Sequence, residues 1–105
     1  MKIFLDDIHC PPANDFIHCK TAAEAIQLIN SGKVDFISFD HDLGPGPSGH
    51  DVAKHIEELV YYKIIKCPNW RIHSRNSVGS KNIQSTMNRA ISFEEDREDE
   101  KSENV

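Results

Sequence analysis

The sequence has few cysteines, no long apolar run and no carboxylate over one third of its length. Three cysteines among 105 residues, with no CxxC spacing, argue against a disulfide framework, and we expect reduced thiols in a cytoplasmic protein. No apolar run approaches the ~20 residues of a transmembrane helix, so no membrane partner is expected. The opening residues MKIFLDD reach two carboxylates by Asp7, which is not typical of a secretory signal.

The missing carboxylates are those of residues 59–93, which hold six bases and no acid, whereas residues 1–58 hold ten acids and four lysines. This split fits a phosphate-facing surface beside a metal-binding one, but it also fits ordinary solvated helix faces. Residues 94–105 hold seven acids and lack apolar periodicity. They are predicted to form a disordered acidic tail, open to a protein partner, after a domain over residues 1–93.

Strand and helix signals alternate along residues 1–93. Strands are predicted over residues 2–8, 16–19, 34–40 and 70–74. Helices are predicted after Thr21, which opens a capping box with Glu24, after Ser48, and from about Val78 to Ser92. The alternation predicts an α/β fold: a small parallel sheet of about four strands, with helices on both faces in a three-layer sandwich.

Polar side chains follow three of the predicted strands. Ligands of parallel α/β sheets bind outside the carboxyl ends of the strands, so these side chains are expected to meet at one edge. The set is Asp6, Asp7, Asp40, His41, Asp42, His73, Ser74, Arg75 and Asn76.

Three carboxylates in this set point to a divalent metal. Crowded carboxylates repel one another unless a cation joins them, and Mg²⁺ or Mn²⁺ would do so through Asp6, Asp7 and Asp40. The partner would then carry a phosphoryl group, because the metal polarises phosphorus–oxygen bonds. The alternative is that some of these aspartates only cap turns.

The remaining polar residues fit the cleavage of a phosphodiester or cyclic phosphate. His41 and His73 are candidates for acid and base, with Asp42 orienting one of them. Ser74 is a candidate nucleophile or phosphate donor. The candidate phosphate-binding residues are Ser74, Arg75, Asn76, Ser77 and Lys81, the last two at the positive end of the final helix. The alternatives are structural histidines, and a serine at 77 or 80 that only caps the helix.

Five motifs in order resemble the family described as cyclic-phosphate processing domains, which derives from the receivers of two-component signalling. They are KIFLDDI before Pro11-Pro12, TAAEAI, ISFDHDLG, GHDVA and IHSRNSVGSKN, over about residues 1–92. The resemblance implies a trimmed, receiver-like (flavodoxin-like) fold and a divalent-metal site. By position, the residues that the resemblance implies for the functional site are Asp6, Asp7, Asp40, His41, Asp42, His73, Ser74 and Asn76.

The function that the resemblance implies is a role on cyclic phosphate ends of RNA, or on related nucleotides, in RNA repair or host–virus conflict. Together with the residues, this favours a metal-dependent phosphoesterase. One alternative is a receiver-type signalling module phosphorylated on Asp40, although the lysine that ends a receiver's fifth strand has no counterpart after residue 76. Another is a nucleotide-binding or protein-binding module without turnover.

Overall fold

A computed structural model of the chain describes the backbone of residues 1–103 and the side chains of residues 1–96. Four strands and three helices follow one another in the described residues. They are β1 (Lys2–Leu5), β2 (Phe16–Cys19), α1 (Ala22–Asn30), β3 (Phe36–Phe39), α2 (Gly49–Tyr61), β4 (Asn69–Ile72) and α3 (Ser77–Glu103). The predicted α/β fold with a four-stranded parallel sheet is confirmed.

Local hydrogen bonds explain where the helices begin and end. The side chain of Thr21 caps α1, and Ser48 and Asp51 form a reciprocal capping box at the start of α2. Helix α2 ends in a Schellman motif, in which the amides of Lys63 and Ile64 bond back to the last turn. Lys63 takes a left-handed conformation there, with φ of 62°.

Several boundaries differ from the prediction. Strand β3 begins at Phe36 rather than residue 34, and β4 ends at Ile72 rather than residue 74. Strand β1 ends at Leu5 rather than residue 8, and Ile8 is 78% exposed. Helix α2 ends at Tyr61, so Ile64 lies beyond it. Helix α3 runs past Ser92 to Glu103, because no glycine or proline follows Ser80 and glutamate and lysine favour helix.

The acidic tail predicted over residues 94–105 therefore coincides with the end of α3 as far as Glu103. Its last two residues lie outside the described residues. Within the part of the chain that the structure describes, no helix is both long enough and apolar enough to span a bilayer.

The strand order β2-β1-β3-β4, all parallel, decides which face the helices cover. The steps from β2 to β3 and from β3 to β4 cross the sheet in the same direction, and right-handed crossovers then place α1 and α2 on one face. Helix α3 packs beside α2. All three helices share one core with the strand residues of this helix face. Those that are fully buried are Ile3, Leu5, Cys19, Ile37 and Phe39, and Trp70 and Ile72 pack against them.

The opposite face of the sheet carries the alternate strand residues. The prediction placed helices on both faces. The connection from β1 to β2 is the one that crosses the sheet in the opposite direction, and it contains no helix that could cover this face. We call this opposite side the second face. Its strand residues are Lys2, Phe4, Phe16, His18, Phe36, Ser38, Asn69 and Arg71.

Candidate functional site

A cleft of about 210 Å³ opens at the carboxyl edge of the sheet. Because β1, β3 and β4 are neighbours and parallel, the residues that follow them meet there. The lining residues are Asp6, Ile8, His9, Asp40, Asp42, His73, Ser74, Arg75 and Asn76. The structure thus brings together seven of the nine polar residues that the strand ends predicted, and the other two, Asp7 and His41, are not part of the cleft lining.

Asp6 is the most enclosed charge of the cleft, with a side chain only 1% exposed. Its Oδ1 accepts the amides of Ile8 and His9, both at 2.8 Å, so the chain turns sharply after β1. Its Oδ2 accepts Nε2 of His73 at 3.0 Å and Nδ1 of His9 at 3.3 Å. Burial alone would raise the pKa of Asp6, but these hydrogen bonds outweigh it and hold the pKa below its usual value.

Asp6, Asp40 and His73 form a cluster with metal-ligating geometry. One ligand atom from each lies within 4.8 Å of the other two. The amide of Asp40 bonds to the carbonyl of Leu5 at 2.9 Å, which fixes the end of β3 against β1. Two carboxylates and an imidazole are a plausible donor set for a divalent ion.

Asp7, the third predicted ligand, is not a member of this cluster in the described residues. Its Oδ1 is buried and has no hydrogen-bond donor in the described part of the chain. A β-carbon on Gly44 would lie 3.5 Å from its Oδ2, so this carboxylate faces the loop that follows β3. A buried carboxylate oxygen without a donor is costly unless a cation satisfies it, which is consistent with a metal at this edge.

His73 is held on both ring nitrogens. While Nε2 donates to Asp6, Nδ1 lies 2.7 Å from the hydroxyl of Ser38, a residue 1% exposed. The ring also stacks on Phe4, with centroids 4.5 Å apart and planes at 4°. The ring is therefore fixed in position and orientation.

His41 forms a dyad with Asp42. Nδ1 of His41 donates to Asp42 at 2.9 Å, which leaves Nε2 without a hydrogen-bond partner among the described residues. The hydrogen bond from His41 is the main cause that holds the pKa of Asp42 below its usual value. The ring lies against Gly79 in the first turn of α3, where a β-carbon would approach Cγ of His41 to 2.3 Å.

Asn76 connects this dyad to α3. Its Oδ1 accepts the amide of Gly79 at 2.9 Å, and its Nδ2 lies 3.3 Å from a carboxylate oxygen of Asp42. Asn76 therefore caps α3, rather than Ser77 or Ser80, which were the two candidates from the sequence. Helix geometry leaves the amides of Ser77 and Val78 without partners inside the helix, so they remain available to an anion.

The other predicted phosphate-binding residues are placed differently from one another. Ser74 and Arg75 line the cleft, and the hydroxyl of Ser74 accepts the amide of Asn76 at 3.1 Å. Ser77 begins α3 next to the cleft. Lys81 lies one turn further along α3, exposed and outside the cleft lining.

Sequence reasoning missed Ser38, His9 and Gly79 as parts of the site. A serine in the middle of the strand sequence FISF breaks an otherwise apolar pattern, and that signal could have found Ser38. His9 was visible only as a residue near the aspartate pair. Nothing local marks Gly79, because its role depends on the packing of His41 from another element.

Comparison with known proteins adds a family to this geometry. The family model described as the cyclic-phosphate processing receiver domain matches residues 1–89. The chain belongs to this family. The match confirms the resemblance carried by the five motifs and the receiver-like fold. Searches of the curated proteins and of the solved structures found no match. The name of the family links this receiver-like domain to the processing of cyclic phosphates.

Proposed function

We propose that this receiver-like domain is a divalent-metal-dependent phosphoesterase that opens cyclic phosphates at RNA ends or on related nucleotides. The observation that carries the proposal is the Asp6–Asp40–His73 cluster, in the same cleft as the Asp42 carboxylate that orients His41. A divalent metal would supply charge stabilisation and an oriented histidine would supply acid–base catalysis, and both accelerate the hydrolysis of a phosphodiester.

The donor set fits the metal that this reaction would use. Carboxylates suit Mg²⁺ and Mn²⁺, and an imidazole ligand favours a transition ion, so Mn²⁺ suits the cluster well. When bound, the ion would polarise the phosphoryl oxygens and neutralise their charge. Asp6 and Asp40 would hold it with His73, and Asp7 would add a further carboxylate through Oδ1.

Proton transfer falls to His41 in this proposal. With Nδ1 bonded to Asp42, the ring presents Nε2, which has no hydrogen-bond partner among the described residues, as a base for the attacking water. His73, whose two nitrogens are both engaged, serves the metal rather than the proton transfer. Arg75 and the free amides at the start of α3 would hold the phosphate, and Ser74 would donate to it.

The test is hydrolysis of a 2′,3′-cyclic nucleotide and of an RNA with a cyclic phosphate end, followed by phosphorus NMR with Mg²⁺, Mn²⁺ or EDTA. We expect metal-dependent opening that Asp40→Asn abolishes and that His41→Ala lowers by about 10²–10⁴. The matched controls are Asp35→Asn and His55→Ala. In the native chain the carboxylate of Asp35 pairs with the amino terminus, and His55 bonds to Asn30.

Folded protein that opens neither substrate with any of these metals would contradict the proposal. A phosphorylated Asp40 after incubation with acetyl phosphate would favour the signalling alternative instead. Nucleotide affinity without turnover would favour a binding module.

A further inference from the structure

The second face of the sheet has a composition suited to single-stranded RNA. The parallel register aligns Lys2, Phe16, Phe36 and Asn69 in one row, and Phe4, His18, Ser38 and Arg71 in the next row toward the carboxyl edge. These eight positions hold three phenylalanines and two bases, and no carboxylate. The core and all three helices lie on the other side.

The aromatic rings of this face form a continuous series that ends at the candidate site. Phe16 contacts Phe36 and Phe4, each pair with centroids 6.1 Å apart, and Phe4 stacks on His73 of the metal-ligating cluster. Phe16 and Phe36 are half-buried. Phe4 is 7% exposed, so the outer rings are the ones that a ligand can reach.

Positive charge borders the same rings. The ammonium of Lys2 lies 4.7 Å from the centroid of Phe16, and it also binds Asp15 from the β1–β2 connection at 2.9 Å. Arg71 is exposed on the outermost strand, and Arg75 lines the cleft just beyond the end of that strand. A polyanion that follows this strand would thus meet a base on the sheet and another at the site.

The cleft is small and open to solvent. Its volume of about 210 Å³ lies below the about 300–1,000 Å³ of pockets that enclose small ligands, so a bound nucleotide would extend beyond it.

We propose that the substrate is a single-stranded RNA end, and that the nucleotides preceding the cyclic phosphate lie on the second face. Their bases stack on Phe36 and Phe16 and their backbone contacts Arg71, since base stacking on aromatic side chains is tolerant of sequence and common on sheet surfaces. This inference rests on the proposed function, and it selects an oligonucleotide over a free cyclic nucleotide.

The test compares two substrates across variants of this face. A short single-stranded RNA with a 2′,3′-cyclic phosphate is compared with a 2′,3′-cyclic mononucleotide, for the wild type, Phe36→Leu, Arg71→Ala and the matched control Arg89→Ala. Arg89 lies on α3 and binds Glu57. Circular dichroism and the melting temperature establish that each variant is folded.

Each face variant should raise the KM for the RNA about tenfold more than the KM for the mononucleotide. Arg71→Ala should also reduce the salt dependence of RNA binding by about one phosphate contact. Arg89→Ala should leave both ratios unchanged. Equal changes in the two KM values, or none, would overturn the inference. A second result would also overturn it. If the wild type sediments as a dimer, and the face variants sediment as monomers yet bind RNA as tightly as the wild type, the face is a contact between copies of the chain.

Binding of the same RNA with an ordinary 3′-hydroxyl, measured by fluorescence anisotropy, separates this inference from the proposed function. Weaker binding by both face variants, without turnover by the wild type, would retain the RNA face and reject the phosphoesterase. Turnover of the mononucleotide with RNA binding insensitive to both variants would do the reverse.

Discussion

At the scale of single residues, Ser38 decides how His73 can serve a metal. A hydroxyl both donates and accepts. When Nε2 of His73 donates to Asp6, the hydroxyl of Ser38 donates to Nδ1 across 2.7 Å. When Nε2 gives its lone pair to a metal, the proton must sit on Nδ1, and the same hydroxyl then accepts it. Ser38 therefore supports either state of the ring without moving.

Ser38→Ala should weaken Mn²⁺ binding by about 10–100-fold, the usual effect of removing a hydrogen-bond partner from a metal-ligating histidine. Isothermal titration calorimetry with Mn²⁺ measures this directly. Ser38→Thr keeps the hydroxyl and suits a strand, so it should bind more tightly than the alanine variant. Equal Mn²⁺ affinity in the alanine variant and the wild type would remove Ser38 from this role.

Gly79 supports the position of His41 because it has no side chain and so leaves room for the ring. A β-carbon at this position would lie 2.3 Å from Cγ of the ring and 2.8 Å from Nδ1, so His41 would have to move. Gly79→Ala should lower kcat about 100-fold, since a shift of about 1 Å in a catalytic group has effects of that size. The Mn²⁺ affinity should be unchanged, because His41 is outside the cluster. A variant with normal kcat would show that the ring tolerates the methyl group.

At the scale of elements, helix starts hold the site. The amide of Gly49, the first residue of α2, bonds to the carbonyl of His41 at 2.8 Å. A β-carbon on Gly49 would lie 1.8 Å from the carbonyl oxygen of Asp40, so only glycine permits this close approach. The start of α3 supports the side chain of His41 in turn. Two helix ends thus fix the backbone and the ring of one residue.

Ser48→Ala removes the hydroxyl that caps α2 and should cost about 0.5–2 kcal/mol of unfolding free energy. Urea unfolding followed by the fluorescence of Trp70 gives this value. Ser85→Ala, an exposed serine within α3, should change the unfolding free energy by less than about 0.5 kcal/mol. A Ser48→Ala loss no larger than that of the control would mean that Asp51 and the packing of α2 suffice.

At the scale of the whole molecule, one core stabilises the fold, and two of the three thiols belong to it or border it. Burial raises the pKa of Cys19 to about 11 and that of Cys67 to about 12, with Glu24 and Glu94 adding repulsion. Cys10 is exposed. Neither Cys19 nor Cys67 is a thiolate at neutral pH, so neither is a candidate nucleophile.

These raised pKa values predict a loss of stability in alkali. The folded state favours the protonated thiols, so their contribution is complete below the ordinary thiol pKa near 9 and falls as the pH rises toward 11–12. Urea unfolding at pH 8 and pH 10 measures the loss. Cys67→Ala should flatten this dependence, whereas Cys10→Ala should not. The same slope in both variants would contradict the assignment.

Most of the fold could be predicted from apolar periodicity and helix-capping residues in the sequence. The apolar spacing of Ile26 and Ile29 and the caps at Thr21 and Ser48 are local signals, and the elements they predict are present. The single helix layer was not predicted, because it depends on the order of strands across the sheet. Seven of the nine polar residues that follow the predicted strands line the cleft. The separation of Asp7 from the cluster, the cap at Asn76 and the role of Gly79 arise only from tertiary packing.

The most direct test of the account follows Mn²⁺ occupancy and cyclic phosphate opening in the same sample of the full chain. Electron paramagnetic resonance counts the bound Mn²⁺ while product is measured. We predict one Mn²⁺ per chain, ring opening that saturates with that occupancy, and the loss of both in Asp40→Asn. Ring opening that is as fast in EDTA, or full Mn²⁺ occupancy without product, would contradict a metal-dependent phosphoesterase.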